Sequence, residues 1–343
     1  MTRTKKSRQI QKILIIRFSS IGDLVLISHF IRNFHQQYPS CDIHLVIRSE
    51  FKSLYVFHPV VRKIWCFEKG DLKKLIGNFR KENYDIIFDL QGNLKSRFIS
   101  AFCTSVPVFR THMHRLRRFL LVRYKLNTYK NIEPVPLRHL KIAQKFDVKD
   151  DQSGLELFVA KNIIESIESR IPTSPFVVLA PGASRNTKRW PVDKYIEISY
   201  YLQDKGIQVV LLGGESDRPI CREIEEFKRS GGITNLAGKL SLIQTAAVLK
   251  KSSLLISNDT GVMHMGTALQ IPVIAIFGPT TQEFGFYPFR GKTQVVENAT
   301  LKCRPCSFHG TDECPKKHFK CMKDILPTDV KQHIERFLIK DQA

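Results

Sequence analysis

Lys12-Ile-Leu-Ile-Ile-Arg-Phe-Ser-Ser-Ile-Gly-Asp23 is the stretch that decides the fold. Ile13 to Ile16 form an apolar run too short for a buried helix and suited to a strand covered on both faces. Phe18-Ser-Ser-Ile-Gly-Asp23 turns, and Leu24 to Tyr38 carries apolar residues at helical spacing. Strand, Gly-containing turn and helix make the first half of a βαβ unit. Outward from it, Ile43–Ile47 reads as a strand, Pro59–Phe67 holds another short strand after a loop, Leu72–Lys81 reads as a helix, and Tyr84–Leu90 as a buried strand ahead of Gln91-Gly-Asn93. The alternation restarts at Pro175–Ala180. Strands are expected at Gln208–Leu212, Ser253–Ser257 and Val273–Phe277, with helices over Val192–Lys205, Pro219–Arg229, Leu242–Lys250 and Gly261–Leu269. This pattern predicts an α/β protein with two Rossmann-like halves, each on its own parallel sheet. A helix over Leu155–Arg170 would approach the junction, so the domains are placed at 1–155 and 156–343.

The chain has 343 residues, enough for two domains with sizeable cores, and 43% hydrophobic residues, which excludes a disordered or fibrous protein. No apolar run approaches the ~20 residues of a membrane helix. Met1 to Lys12 is basic and lacks the apolar core of a secretion signal, so a cytoplasmic location is expected. Lys and Arg number 54 against 32 Asp and Glu, a net charge of +22. Such an excess points to nucleic acid, an acidic membrane surface or a phosphorylated substrate, with a merely solvated basic surface as the plain alternative. His112–Lys145 concentrates it: nine Lys/Arg against Glu133 alone, with aromatic and leucine residues between them.

Ligands of open α/β sheets bind at the carboxyl ends of strands, and four polar motifs lie there. Ser19, Ser20 and Asp23 follow the first strand; Asp23 suits a general base, or simply a helix start that favours negative charge. Pro181-Gly-Ala-Ser184 leads to Lys188-Arg-Trp-Pro191, a loop able to bring amides and a lysine to phosphate, without Walker A spacing. Gly213-Gly-Glu215 places a carboxylate where a ribose diol would bind, although a plain turn is the default. Ser257-Asn-Asp-Thr-Gly-Val-Met-His264 gives a helix start for an anion at Asp259, Thr260 and Gly261, with His264 either on the anion or in the core.

These motifs, with Tyr84-Asp-Ile-Ile-Phe-Asp-Leu-Gln-Gly-Asn93 and Phe277-Gly-Pro-Thr280, stand in an order that resembles glycosyltransferase family 9, the ADP-heptose:lipopolysaccharide heptosyltransferases, and within it the heptosyltransferase II type. The resemblance spans roughly residues 12–325. It implies a GT-B fold, two facing Rossmann-like domains with the active site between them, and heptose transfer from ADP-L-glycero-D-manno-heptose to the lipopolysaccharide inner core. Transfer would invert the sugar carbon without a metal, in keeping with the lack of an Asp-x-Asp sequence. By the same resemblance Asp23 is the catalytic base. Ser184, Lys188, Glu215, Asp259, Thr260, Gly261 and His264 bind the donor. Ser19, Ser20, Arg115, Arg117 and Arg118 bind an anionic acceptor, and the basic segment leans on the inner face of the inner membrane.

The remaining signal is cysteine. Cys41, Cys66, Cys103 and Cys221 are scattered and read as buried thiols. Cys303, Cys306, Cys314 and Cys321 crowd together at C-x2-C-x7-C-x6-C spacing. That spacing admits a structural zinc site, with His309 and His318 as spare ligands, and the resemblance establishes no metal there. No cofactor is expected for catalysis. Two readings compete with the leading one: the same fold serving another nucleotide sugar, and a basic nucleic-acid-binding protein. The second leaves the strand-end loops without a role, and no nucleic-acid partner is expected.

Overall fold

Ile13–Ile16 are fully buried on β1 (Lys12–Ile16), a central strand with a parallel neighbour on each edge, β2 (Asp42–Arg48) and β4 (Ile86–Asp89). With β3 (Val61–Phe67) and β5 (Val108–Arg110) they form a five-stranded sheet, order β3-β2-β1-β4-β5, parallel throughout. The computed structural model describes residues 10–68, 72–102, 106–228 and 232–338. Helices Ile21–Leu26 and Ser28–Gln37 follow β1; a break at Ile27 divides the single helix expected over Leu24–Tyr38. Phe30 and Phe34 pack edge-on against Phe88 of β4, closing the helix layer onto the sheet.

The second sheet has the order β11-β10-β9-β6-β7-β8 and is also parallel throughout. Its strands are β6 (Phe176–Ala180), β7 (Gln208–Leu211), β8 (Ile233–Asn235), β9 (Leu254–Asn258), β10 (Val273–Phe277) and β11 (Thr293–Glu297). Trp190, Tyr195 and Met322 are buried in its core, and the Trp190 indole N–H donates to the Ile325 carbonyl at 3.1 Å.

The chain divides into two units, one reaching Met113 and including Pro136–Gln152, the other comprising His114–Val135 and the residues from Ser153 onward. The second division lies close to the sequence boundary at 155/156. The basic segment, in contrast, groups with the second sheet, where the sequence reading placed it with the first. Its contacts give the reason. Arg118 stacks over Phe284 and Phe286, Lys125 Nζ donates to the Cys303 carbonyl at 2.9 Å, and Val135 N donates to the Gly285 carbonyl at 2.9 Å. The helix expected over Leu155–Arg170 shortens to Lys161–Glu168. Cys41 and Cys221 are buried as expected, Cys66 is half-buried, and Cys103 lies outside the described residues.

Candidate functional site

Asp23 stands in the first turn of helix Ile21–Leu26, with Ser20 at the N-cap. Its Oδ2 accepts from Ser20 N at 3.2 Å and Ser20 Oγ at 3.1 Å, while its other oxygen pairs with the Arg17 guanidinium. Arg17 is almost wholly buried and also donates to the carbonyls of Ser19 and Leu90. Burial works to raise the Asp23 pKa, but Arg17 and the Ser20 hydrogen bonds outweigh it and hold the carboxyl below its ordinary 3.8. The helix-start role and an ionised carboxylate therefore coexist in one residue. Gln91 Oε1 accepts from Phe18 N at 2.9 Å, which ties the turn after β4 to the turn after β1. That second turn is shaped by buried Asp89, whose carboxylate accepts from Gln91 N, Gly92 N and Ser96 Oγ. Gly92, at φ 61°, adopts the left-handed conformation the turn requires. His139 is buried near Arg17 and Asp23. Burial first, and the Arg17 charge second, push its pKa down to about 3, so a neutral buried ring, bonded to Thr111 Oγ1 at 3.0 Å, lies beside the ion pair.

A second group occupies the adjacent carboxyl ends of β6, β9 and β10 in the other unit. Lys188 Nζ is 2.6 Å from Asp259 Oδ2, and Thr280 Oγ1 donates to the same oxygen at 2.8 Å. Lys188, Asp259 and the Phe277-Gly-Pro-Thr280 loop thus form one constellation. Thr260 is the N-cap of helix Gly261–Ala268, yet its hydroxyl makes no capping bond and lies 3.3 Å from Ser257 Oγ. The amides of a first helical turn lack intrahelical acceptors, so this end can receive an anion. His264 is buried on the same helix. Asn258 fixes the floor: its side-chain amide donates to the Pro181 carbonyl at 2.8 Å and accepts from Trp190 N at 3.1 Å.

Ser184 is exposed on the loop after β6. Glu215 is exposed and paired with Arg218 at 2.7 Å, so the ribose role rests on no fixed geometry here. The residue that organises this end is Asp217. It accepts from Gly214 N at 2.9 Å, and its carboxylate so crowds Gly182 that a Cβ there would lie 2.2 Å from Asp217 Cγ. Of the basic residues expected to hold acceptor, Arg115 and Arg117 are exposed on helix Arg115–Tyr124. Arg118 is buried, with its guanidinium 5.6 Å from each of the Phe284 and Phe286 rings. In this arrangement it fastens the helix to its own unit.

Residues 72–318 match the family model for glycosyltransferase family 9 (heptosyltransferase). The chain belongs to glycosyltransferase family 9. It is similar to the lipooligosaccharide heptosyltransferase 2 of Haemophilus influenzae, 28% identical over 96% of this chain and 99% of that protein. Similarity to the lipopolysaccharide heptosyltransferase 2 of Escherichia coli is 25% over 97% and 100%. The solved structure of E. coli ADP-heptose lps heptosyltransferase II superimposes with a TM-score of 0.78 at 26% identity, covering 97% of this chain and all of that one. A Veillonella parvula family 9 structure, at a TM-score of 0.80 and 19% identity, shares the fold.

This glycosyltransferase thus has the GT-B fold class, with two Rossmann-like units on parallel sheets. Its cysteine-rich tail is built into the Lys188–Asp259 constellation. Arg304, inside the Cys303–Cys306 pair, sends its buried guanidinium to the carbonyls of Gly278 and Thr280 and to the Glu297 carboxylate. Thr187, next to Lys188, exchanges hydrogen bonds with the Thr311 backbone at 2.7 and 2.8 Å. Cys303 Sγ is 3.8 Å from His318 Nε2, and burial pushes the Cys321 thiol up to about 12. Among the described residues, the group of three ligand-bearing side chains close enough to share an ion is His29, Asp150 and Asp151, not the cysteines. Sequence reasoning passed over Arg17, His139, Asp217 and Arg304. Only Arg17 had a local signal, as a cation placed directly between an apolar strand and the Asp23 turn.

Proposed function

We propose that this enzyme transfers a heptosyl residue from ADP-L-glycero-D-manno-heptose to the lipopolysaccharide inner core, as a heptosyltransferase of the second type. The observation that carries the reading is Asp23, a carboxylate kept ionised by Arg17 and Ser20 at a strand-end turn, in a chain whose other unit presents Lys188 and a helix start. The acceptor hydroxyl oxygen attacks the anomeric carbon on the face opposite ADP. Its proton passes to Asp23, the carbon–oxygen bond to the diphosphate breaks, and the configuration inverts. Negative charge grows on the departing diphosphate, where Lys188, the Thr260 hydroxyl and the first amides of Gly261–Ala268 stabilise it in place of a divalent cation. Ser184, Glu215 and His264 complete the donor contacts; Ser19, Ser20, Arg115 and Arg117 serve an acceptor bearing acidic sugars and phosphates.

The absence of an Asp-x-Asp sequence supports transfer without a catalytic metal; the spacing of Cys303, Cys306, Cys314 and Cys321 admits a structural zinc ion, but their sulfurs are not gathered closely enough in this structure to hold one. No helix among the described residues is long and apolar enough to cross a membrane. The +22 charge suits a cytoplasmic enzyme held peripherally on the acidic inner face of the inner membrane. The test is thermal stabilisation by a panel of nucleotide sugars, followed by transfer to Kdo-lipid A with and without its first heptose. ADP-heptose should stabilise the protein, and the monoheptosylated acceptor should be extended at an unchanged rate in EDTA. Stabilisation by a different nucleotide sugar alone would overturn the substrate.

A further inference from the structure

Helix Leu94–Ala101 leaves the turn made by Asp89 and Gln91, with Asn93 capping it through Ser96 N at 2.9 Å. Ser96, Ile99 and Ser100 form its buried face. The opposite face is apolar and open: Leu94 is 85% exposed, Phe98 49% and Phe102, just past the helix end, 37%. These positions recur every four residues and make one stripe along the helix. The rings of Phe98 and Phe102 pair with centroids 4.6 Å apart, so the stripe presents a joined aromatic surface. Lys95 and Arg97, both exposed, flank it on either side at helical spacing. Between Asp89 and Glu133 the sequence holds no acidic residue.

We propose that this helix lies on an acidic lipid bilayer, its Leu94–Phe98–Phe102 stripe sunk among the acyl chains and its Lys95 and Arg97 cations among the headgroups. The inference deepens the peripheral-membrane reading above and rests on it. An apolar stripe bordered on both sides by cations, in a stretch free of acids, is the pattern of a helix seated in the plane of a membrane interface. A protein partner would have less use for a cation on each border and none for the lack of acids. The placement also serves the chemistry. The helix starts from the turn whose Gln91 holds Phe18, five residues before the Asp23 base, so a bilayer under it would bring a lipid-borne acceptor to that turn.

The test is co-sedimentation of the full chain with vesicles of phosphatidylcholine alone or of equal parts phosphatidylcholine and phosphatidylglycerol. Leu94→Ser with Phe98→Ser should weaken binding to the acidic vesicles by about tenfold or more, since both the apolar insertion and its aromatic partner are lost. Lys95→Ser with Arg97→Ser should weaken it by a similar factor at low salt, with a shallower salt dependence. All four residues are exposed, so the unfolding temperature should hold, and turnover of a delipidated soluble acceptor should match the parent chain. If the parent chain binds no acidic vesicle, the peripheral reading falls and this proposal with it. Undiminished binding by both double variants overturns the helix assignment alone. A parent chain that self-associates through the stripe, shown by a smaller particle for the Leu94→Ser, Phe98→Ser variant, makes the surface a protein interface and also overturns it.

Discussion

The ammonium of Lys188 and the carboxylate of Asp259 are joined at 2.6 Å, with Thr280 donating to the same carboxylate oxygen at 2.8 Å. A diphosphate bound at this end would compete with a carboxylate already in place for the lysine. Lys188→Ala should therefore weaken ADP binding by about tenfold or more in titration calorimetry, because a charge-assisted hydrogen bond is worth roughly 1.5–3 kcal/mol. Thr260→Val should weaken it less, since it removes a neutral hydroxyl. Unchanged ADP affinity in the Lys188 variant would remove that residue from the donor site.

Asp23→Asn should lower transfer by roughly 10²–10⁴-fold while ADP affinity stays within a factor of two or so, as expected when only proton removal is lost. Because Arg17 and Ser20 depress the Asp23 pKa, the acid limb of kcat/KM should fall below the ordinary carboxylate value of 3.8 if the protein remains folded there. Stability should fall on the acid side. His139 holds its pKa down to about 3 in the fold, against 6.5 when exposed. The unfolded chain thus takes up a proton that the folded chain refuses. This contribution is complete above pH 6.5 and shrinks as pH drops below it, by at most about 1.4 kcal/mol per pH unit. Denaturant unfolding of the parent chain and of His139→Gln between pH 7 and 5 should give a flatter pH profile for the variant.

Gly182 and Asp217 form a pair in which each depends on the other's shape. Gly182→Ala places a methyl 2.2 Å from the Asp217 carboxyl carbon and should cost about 1–3 kcal/mol of stability, with a higher KM for the donor. Adding Asp217→Ala should restore part of the stability. A double-mutant cycle with no coupling would show that the two positions do not share the space.

Arg118→Ala should lower the unfolding midpoint, with a loss of about 1–3 kcal/mol, because a buried guanidinium between two phenylalanine rings is removed from its own unit. Arg115→Ser with Arg117→Ser should leave that midpoint in place and raise the acceptor KM. A shifted midpoint in the second variant, or an unshifted one in the first, would reverse the roles assigned to them.

The interior strands were legible because each is a short apolar run between turn residues. Of the four edge strands, β3 was legible within Pro59–Phe67 but the other three were not: Val108–Arg110, Ile233–Asn235 and Thr293–Glu297 are short and mixed, and pair along one side only. Helix Arg115–Tyr124 was hidden by its charge, since Leu121 and Arg118 are its buried residues and one of them is a cation. Leu155 stays outside a helix where its carbonyl accepts from the Gln270 side chain at 3.0 Å. Within the two candidate groups, Asp23, Lys188 and Asp259 were legible as polar residues following strand ends. His139 and Asp217 act through partners that the fold brings near, and no local spacing marks them, whereas Arg17 is marked by its place between an apolar strand and the Asp23 turn.

Arg304 has a consequence for the order in which the protein can be completed. The Gly278–Thr280 loop lies on its guanidinium, and Trp190, two residues past Lys188, hangs from the carbonyl of Ile325. On the ribosome, therefore, this end of the sheet stays unfinished until the tail has left the exit tunnel, even though Lys188 itself emerged more than a hundred residues earlier. A nascent chain halted before Arg304 would carry every residue assigned to the donor and still lack the contacts that fix their loops.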